Sequence, residues 1–120
     1  MPIAIQHEGA NIYRLDMSGR LGKPEFDRCQ KSLAAEIQRI GPVRLLFVLS
    51  QFEGWEDNPN WGDLSFYVAH GDSIDRIAIV GDERWRSETL MFASVDLRRA
   101  PVEFFSSQNA LAEARAWLAA

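Results

Sequence analysis

Residues 11–18 alternate, with Tyr13, Leu15 and Met17 on one side and Arg14, Asp16 and Ser18 on the other. A period of two marks a strand with one covered face. Residues 3–7 read as a shorter strand joined to it by a turn at residues 8–11, so the chain is expected to open with an antiparallel hairpin. Residues 19–22, with two glycines, break the pattern. From there the period changes: Phe26, Cys29, Leu33, Ile37 and Ile40 recur at three and four, the stripe of an amphipathic helix. Pro24 sits in its first turn, where a missing N–H is harmless, and Gly41-Pro42 ends it.

Residues 43–49 are almost all apolar, which predicts a central strand buried on both faces. Residues 50–60 read as a loop carrying Phe52 and Trp55 among Glu53, Glu56 and Asp57. A helix is expected over 61–69, with Trp61, Leu64 and Val68 along one face and Phe66 and Tyr67 widening it. Arg76-Ile77-Ala78-Ile79-Val80-Gly81-Asp82 reads as a second buried strand leaving the C-terminal edge of a sheet, followed by a helix over 82–92. A strand at 102–105 and a helix at 108–118 complete the order ββαβαβαβα. Such alternation implies a single α/β domain over residues 1–120. Its sheet is expected to be five-stranded and mostly parallel, with an N-terminal hairpin and four helices.

Composition narrows the role mainly by exclusion. The chain of 120 residues carries 13 basic and 17 acidic side chains, a formal net charge of −4, with no clustered basic stripe. Phosphate neutralisation needs such a stripe, so a nucleic-acid partner is not expected. The single cysteine, Cys29, forms no intramolecular disulfide, and residues 1–7 lack the basic start and long apolar core of a signal peptide. With no apolar run near the length of a bilayer span, a cytoplasmic protein is expected.

Glycine-rich phosphate loops and the G-x-S-x-G nucleophile elbow are missing from the sequence. Acids gather after the two central strands: Glu53, Glu56, Asp57 and Asp63, then Asp82 and Glu83. Carboxylates so placed can hold a divalent cation or work as an acid/base pair. Helix starts attract the same residues: Asp82 is suited to an N-cap and Glu83 to the first turn. His7 and His70 have no metal-ligand spacing with Cys29, which falls on the apolar face of the first helix as a core thiol. No metal and no cofactor are expected. The aromatic group Phe52, Trp55, Trp61, Phe66 and Tyr67 lies in or beside a loop. It is read either as a lid over an apolar cavity, a membrane-touching surface or a dimer interface, or as a helix and loop folded onto the sheet.

The Trp61 segment, the run Arg76 to Asp82 followed by Trp85, and Val102-Glu103-Phe104-Phe105 leading to Ala114-Arg115-Ala116-Trp117-Leu118 together resemble the SpoIIAA-like family, a branch of the STAS-type fold. The resemblance covers essentially the whole chain. It implies a sheet like that of STAS and CRAL-TRIO lipid-transfer domains, a homodimer, and an apolar ligand site or membrane contact near a mobile second helix. STAS antagonists carry a phosphate-accepting, Asp-Ser-containing turn after the central strand, and at the equivalent place here the serine has no aspartate before it and no helix opens immediately. The first central strand exits as Leu49-Ser50-Gln51-Phe52-Glu53, so Ser50 is a poor phosphosite.

Three readings follow. The first is a non-catalytic binding module for a small apolar or lipid-like molecule, lidded by Phe52, Trp55, Trp61, Leu64 and Tyr67. The second is a STAS-like interaction domain acting as a homodimer. The third and weakest is a metal-dependent enzyme using Asp57, Asp82 or Glu83.

Overall fold

A computed structural model describes residues 3–63, 65–93 and 99–120. Strands β1 (Ile3–Gly9) and β2 (Ile12–Leu21) form the expected hairpin, with Tyr13, Leu15 and Met17 all buried on one face. Helix α1 (Lys23–Ile40) follows, its apolar stripe burying Cys29, Leu33 and Ile37, and stops at Gly41, whose φ of 90° suits glycine. Then come β3 (Val43–Trp55), α2 (Ser65–His70), β4 (Ile74–Val80), α3 (Arg86–Phe92), β5 (Val102–Phe105) and α4 (Ala110–Ala119).

The sheet runs in chain order β1-β2-β3-β4-β5, antiparallel at the hairpin and parallel thereafter. Right-handed crossovers that always step the same way deposit their helices on one face. Accordingly α1 and α3 close over one side with Leu15, Leu45, Ile77 and Ile79, while α4 packs Ala114 and Leu118 on Leu46, Val48 and Ala78 of the other. The α4 end is held by two arginines paired across β3 and β4. Arg44 donates to the carbonyls of Leu118 and Ala120, and Arg76 donates to Trp117 O at 2.6 Å. Cations at the negative end of a helix are stabilising there. The radius of gyration, 13.3 Å, is that of one compact domain of this length.

The boundaries differ from the sequence expectation in one consequential place. Residues 50–55 are not a loop: β3 continues to Trp55, and β2 continues to Leu21 beside it. The pairing Met17↔Leu49, Gly19↔Phe52, Arg20↔Gly54 and Leu21↔Trp55 shows two bulges, each giving β3 an extra residue. Gln51, at φ 52°, supplies the kink of the first, and Gly54, at φ 100°, lies in the second. The bulges carry Leu49, Phe52 and Trp55, three residues apart, onto the α1 side of the sheet. The expected helix at 61–69 is likewise divided: a tight turn of 3-10 helix (Pro59–Gly62) holds Trp61, and α2 begins only at Ser65. Residues 83–85 form a similar turn before α3, with the side chain of Asp82 capping Arg84 N at 3.0 Å, as its position predicts.

Candidate functional site

Between the sheet and the helices on the α1 face lies a cavity of about 580 Å³. Its floor is Leu15, Leu45, Phe47 and Ile77 from three parallel strands. Phe26 and Leu33 of α1 form one wall, and Met91 and Phe92 of α3 the other. Trp61, Phe66 and Tyr67 roof it. Lys23, Gln30, Asp63 and Glu88 are the charged and amide side chains among those that line it, and exposed Asp63, Glu88 and Met91 mark where it opens to solvent. Size and lining are those of a small-molecule pocket: concave, mostly apolar, with few polar groups.

The roof is pinned rather than loose. Asn58 Oδ1 accepts from Asn60 N at 2.8 Å and so caps the turn that presents Trp61. The Trp61 indole donates to Glu56 O at 2.6 Å, and Glu56 N donates to Leu21 O at 2.8 Å, tying the turn to the end of β2. Phe92 joins the parts: its ring centroid lies 5.0 Å from Phe26, 5.2 Å from Trp55 and 5.6 Å from Trp61.

Of the residues expected at a lid, Trp55, Trp61 and Tyr67 do line the cavity. Phe52 does not. It is 3% exposed and packed edge-on behind Trp55 at 5.1 Å and against Trp85 at 5.0 Å, a core residue brought inward by the bulge. Leu64 lies outside the described residues. Sequence reasoning left out Phe26, Phe92 and Lys23. Phe26 was visible only as part of the α1 stripe, Phe92 only as the last residue of a helix, and Lys23 only as a helix opener.

The family model for SpoIIAA-like proteins matches residues 12–119. The chain belongs to the SpoIIAA-like family. Its fold is similar to that of an uncharacterised protein of the DUF3478 family with a SpoIIAA-like fold from Shewanella loihica PV-4. That structure is 19% identical in sequence, with a TM-score of 0.71 over 97% of this chain and 91% of the other. Among curated proteins none matches this chain. Membership and fold together point to a binding or regulatory module.

Several titratable groups of this SpoIIAA-like chain are engaged in structure. Glu83 accepts from Arg86 and from Ser106, and these bonds hold its carboxyl down to about 2. The backbone N–H of Ser65, at 2.9 Å, holds the Asp63 carboxyl below its ordinary range. Burial pushes the Cys29 thiol up to about 11, far from a nucleophile's range. His7 stacks on Tyr13 at 4.7 Å, and His70, at the end of α2, lies 5.1 Å from Phe66. Ser50 is an exposed residue inside β3, with no helix opening behind it. Among the described residues no three His, Cys, Asp or Glu side chains lie together as a metal site, and no helix is long and apolar enough to cross a membrane.

Proposed function

We propose that this SpoIIAA-like chain is a cytoplasmic, non-catalytic binding module that holds a small apolar or lipid-like molecule between the sheet and helices α1–α3. The cavity carries the reading: about 580 Å³, lined mostly by aromatic and aliphatic side chains and set against the main hydrophobic cluster. Because the cavity opens to solvent, its apolar lining faces water, and a bound apolar molecule would remove that surface from it. Trp55, Trp61 and Tyr67 are the ligand-facing lid residues in this reading. The single buried cysteine fits a reducing compartment.

The test is mass spectrometry of an organic-solvent extract of the gently purified protein, beside a sample denatured and refolded before extraction. A stoichiometric apolar compound in the native sample alone is the expected result. A clean extract, together with no uptake of a neutral solvatochromic dye, would overturn the reading.

One observation favours a second use of the same edge. Val68 of α2 is 79% exposed and Met91 of α3 is 73% exposed, and Met91 borders the cavity mouth. Exposed apolar side chains beside a pocket suit a homodimer contact or a peripheral membrane contact. Sedimentation velocity on the wild type and on Val68→Asp/Met91→Asp separates the two. Dimer loss in the variant supports the homodimer, and a wild-type monomer that co-sediments with vesicles supports the membrane.

A further inference from the structure

Lys23 is the oddity of the cavity. It is the first residue of α1 and only 7% exposed, yet it lines the apolar pocket. Both circumstances work against a cation: burial removes water from the charge, and the first turn of a helix is the positive end of its dipole. Positions that break local rules in an otherwise consistent sequence are where function is expected. The ammonium has three donors. Asp27, one turn on, accepts from one of them, and the Trp61 ring lies 5.9 Å away. Among the described residues no second acceptor reaches Lys23, and the side-chain amide of Gln30, two turns along the same face of α1, has no partner either.

We infer that the cavity selects an apolar molecule carrying an uncharged hydrogen-bond acceptor, a hydroxyl, carbonyl or ester oxygen, which docks on the spare N–H groups of Lys23. The inference rests on the reading of the cavity as a ligand site. Charge decides the kind of head group. A carboxylate at Lys23 would also face Asp27, already paired with the ammonium, and Asp63, whose charge interacts with Lys23. With Glu88 at the mouth, the lining would then hold three anions against one cation that Asp27 already neutralises. A quaternary ammonium would meet the Lys23 charge itself. A neutral acceptor satisfies the ammonium without adding a charge to a low-dielectric site. Gln30 is placed to donate to the same head or accept from it.

The experiment uses four eight-carbon probes, octane, 1-octanol, octanoate and octyltrimethylammonium, each displacing a neutral fluorescent dye from the full chain. Wild type is compared with Lys23→Met, which keeps the length of the side chain and removes the donors. In wild type 1-octanol is expected to bind at least ~10-fold tighter than either charged probe, the scale of one hydrogen bond to a charged group. In Lys23→Met the affinity for 1-octanol should fall ~10-fold while that for octane stays the same. Comparing one probe across two proteins cancels its own hydration. Octanoate binding as tightly as 1-octanol in wild type would overturn the inference in favour of an acid site. Unchanged 1-octanol affinity in a folded Lys23→Met protein would overturn docking on Lys23. Should the variant not fold, the wild-type ranking decides alone. If octane binds and the heads are not distinguished, only the head-group inference fails. If neither the dye nor any probe binds, the reading of the cavity fails as well.

Discussion

Replacing Phe92 with alanine should be among the most damaging single changes on the α1 face, although the ring is only half-buried and borders open space. The ring touches Phe26, Trp55 and Trp61, whose centroids lie 5.0, 5.2 and 5.6 Å away, and so ties α1, β3 and the roof turn to α3. Each aromatic pair contributes ~0.5–1.5 kcal/mol beyond its burial. A fully buried Phe→Ala costs ~3–5 kcal/mol. Phe92 already faces the cavity of about 580 Å³ on one side, so part of that loss is present before mutation. The same ring also lines a second, far smaller void with Met17, Leu49 and Ile79. The expected cost is therefore about 3 kcal/mol, near the lower limit of the fully buried range. For a domain of this size that is a fall in Tm of roughly 10–15 °C. Urea unfolding followed by tryptophan fluorescence measures it directly, with a lower midpoint and an unchanged slope. Phe66→Ala is the control. Phe66 roofs the same cavity from α2, but its only described ring partner is His70, at 5.1 Å, so that variant should lose about 1 kcal/mol. If Phe92→Ala proved no less stable than Phe66→Ala, the ring would not be the joint between the three elements, and the account of the roof as pinned would fail.

The remaining predictions concern the frame around the site. Arg76→Met removes the 2.6 Å bond to Trp117 O and the guanidinium 5.1 Å from the Trp117 ring, and should cost about 2 kcal/mol by urea titration while leaving cavity binding intact. Gly81→Ala would place a Cβ 2.7 Å from Leu49 Cδ1 and 3.0 Å from Leu49 Cβ; the nearer contact can rotate away but the Cβ cannot, so a loss of ~1–3 kcal/mol is expected. Glu36 accepts from Arg39 and Tyr13, and these bonds hold its carboxyl down to about 2. A depressed folded pKa stabilises above the ordinary carboxylate range, and that stability is lost as pH falls towards 2. The fall of Tm from pH 5 to pH 2 should therefore be smaller in Glu36→Gln than in wild type. Cys29, with its buried thiol raised to about 11, should resist alkylation at pH 8 in the folded protein and react promptly in urea.

Much of the fold is legible in local patterns, because those patterns follow from element geometry alone. The period of two in β2, the three-and-four spacing in α1, the Gly41-Pro42 stop and the Asp82 cap each answer to a few neighbouring residues. The strand–helix alternation then leaves few topologies, and the parallel sheet in chain order is among them. Residues 50–55 illustrate the limit. Leu49, Phe52 and Trp55 are three apart, a spacing no regular strand can place on one face. Sequence reasoning therefore ended the strand at residue 49, whereas two bulges against Gly19 and Arg20 continue it to Trp55.

The candidate site divides in the same way. Trp55, Trp61 and Tyr67 stand out in the sequence because aromatics are conspicuous near a loop, and they do line the cavity. Phe52 is equally conspicuous and lies in the core, since only the register with β2 determines which way it faces. Phe26, Phe92 and Lys23 carry no local mark of their roles; they meet because α1 and α3 are laid on the same face of the sheet. The sequence by itself determined the elements, their order and the side of each helix that must be covered, since periodicity and capping act over one or two turns. Only the tertiary structure decided that a cavity remains between them and that a buried ammonium lines it, because both depend on how residues far apart in the chain are packed together.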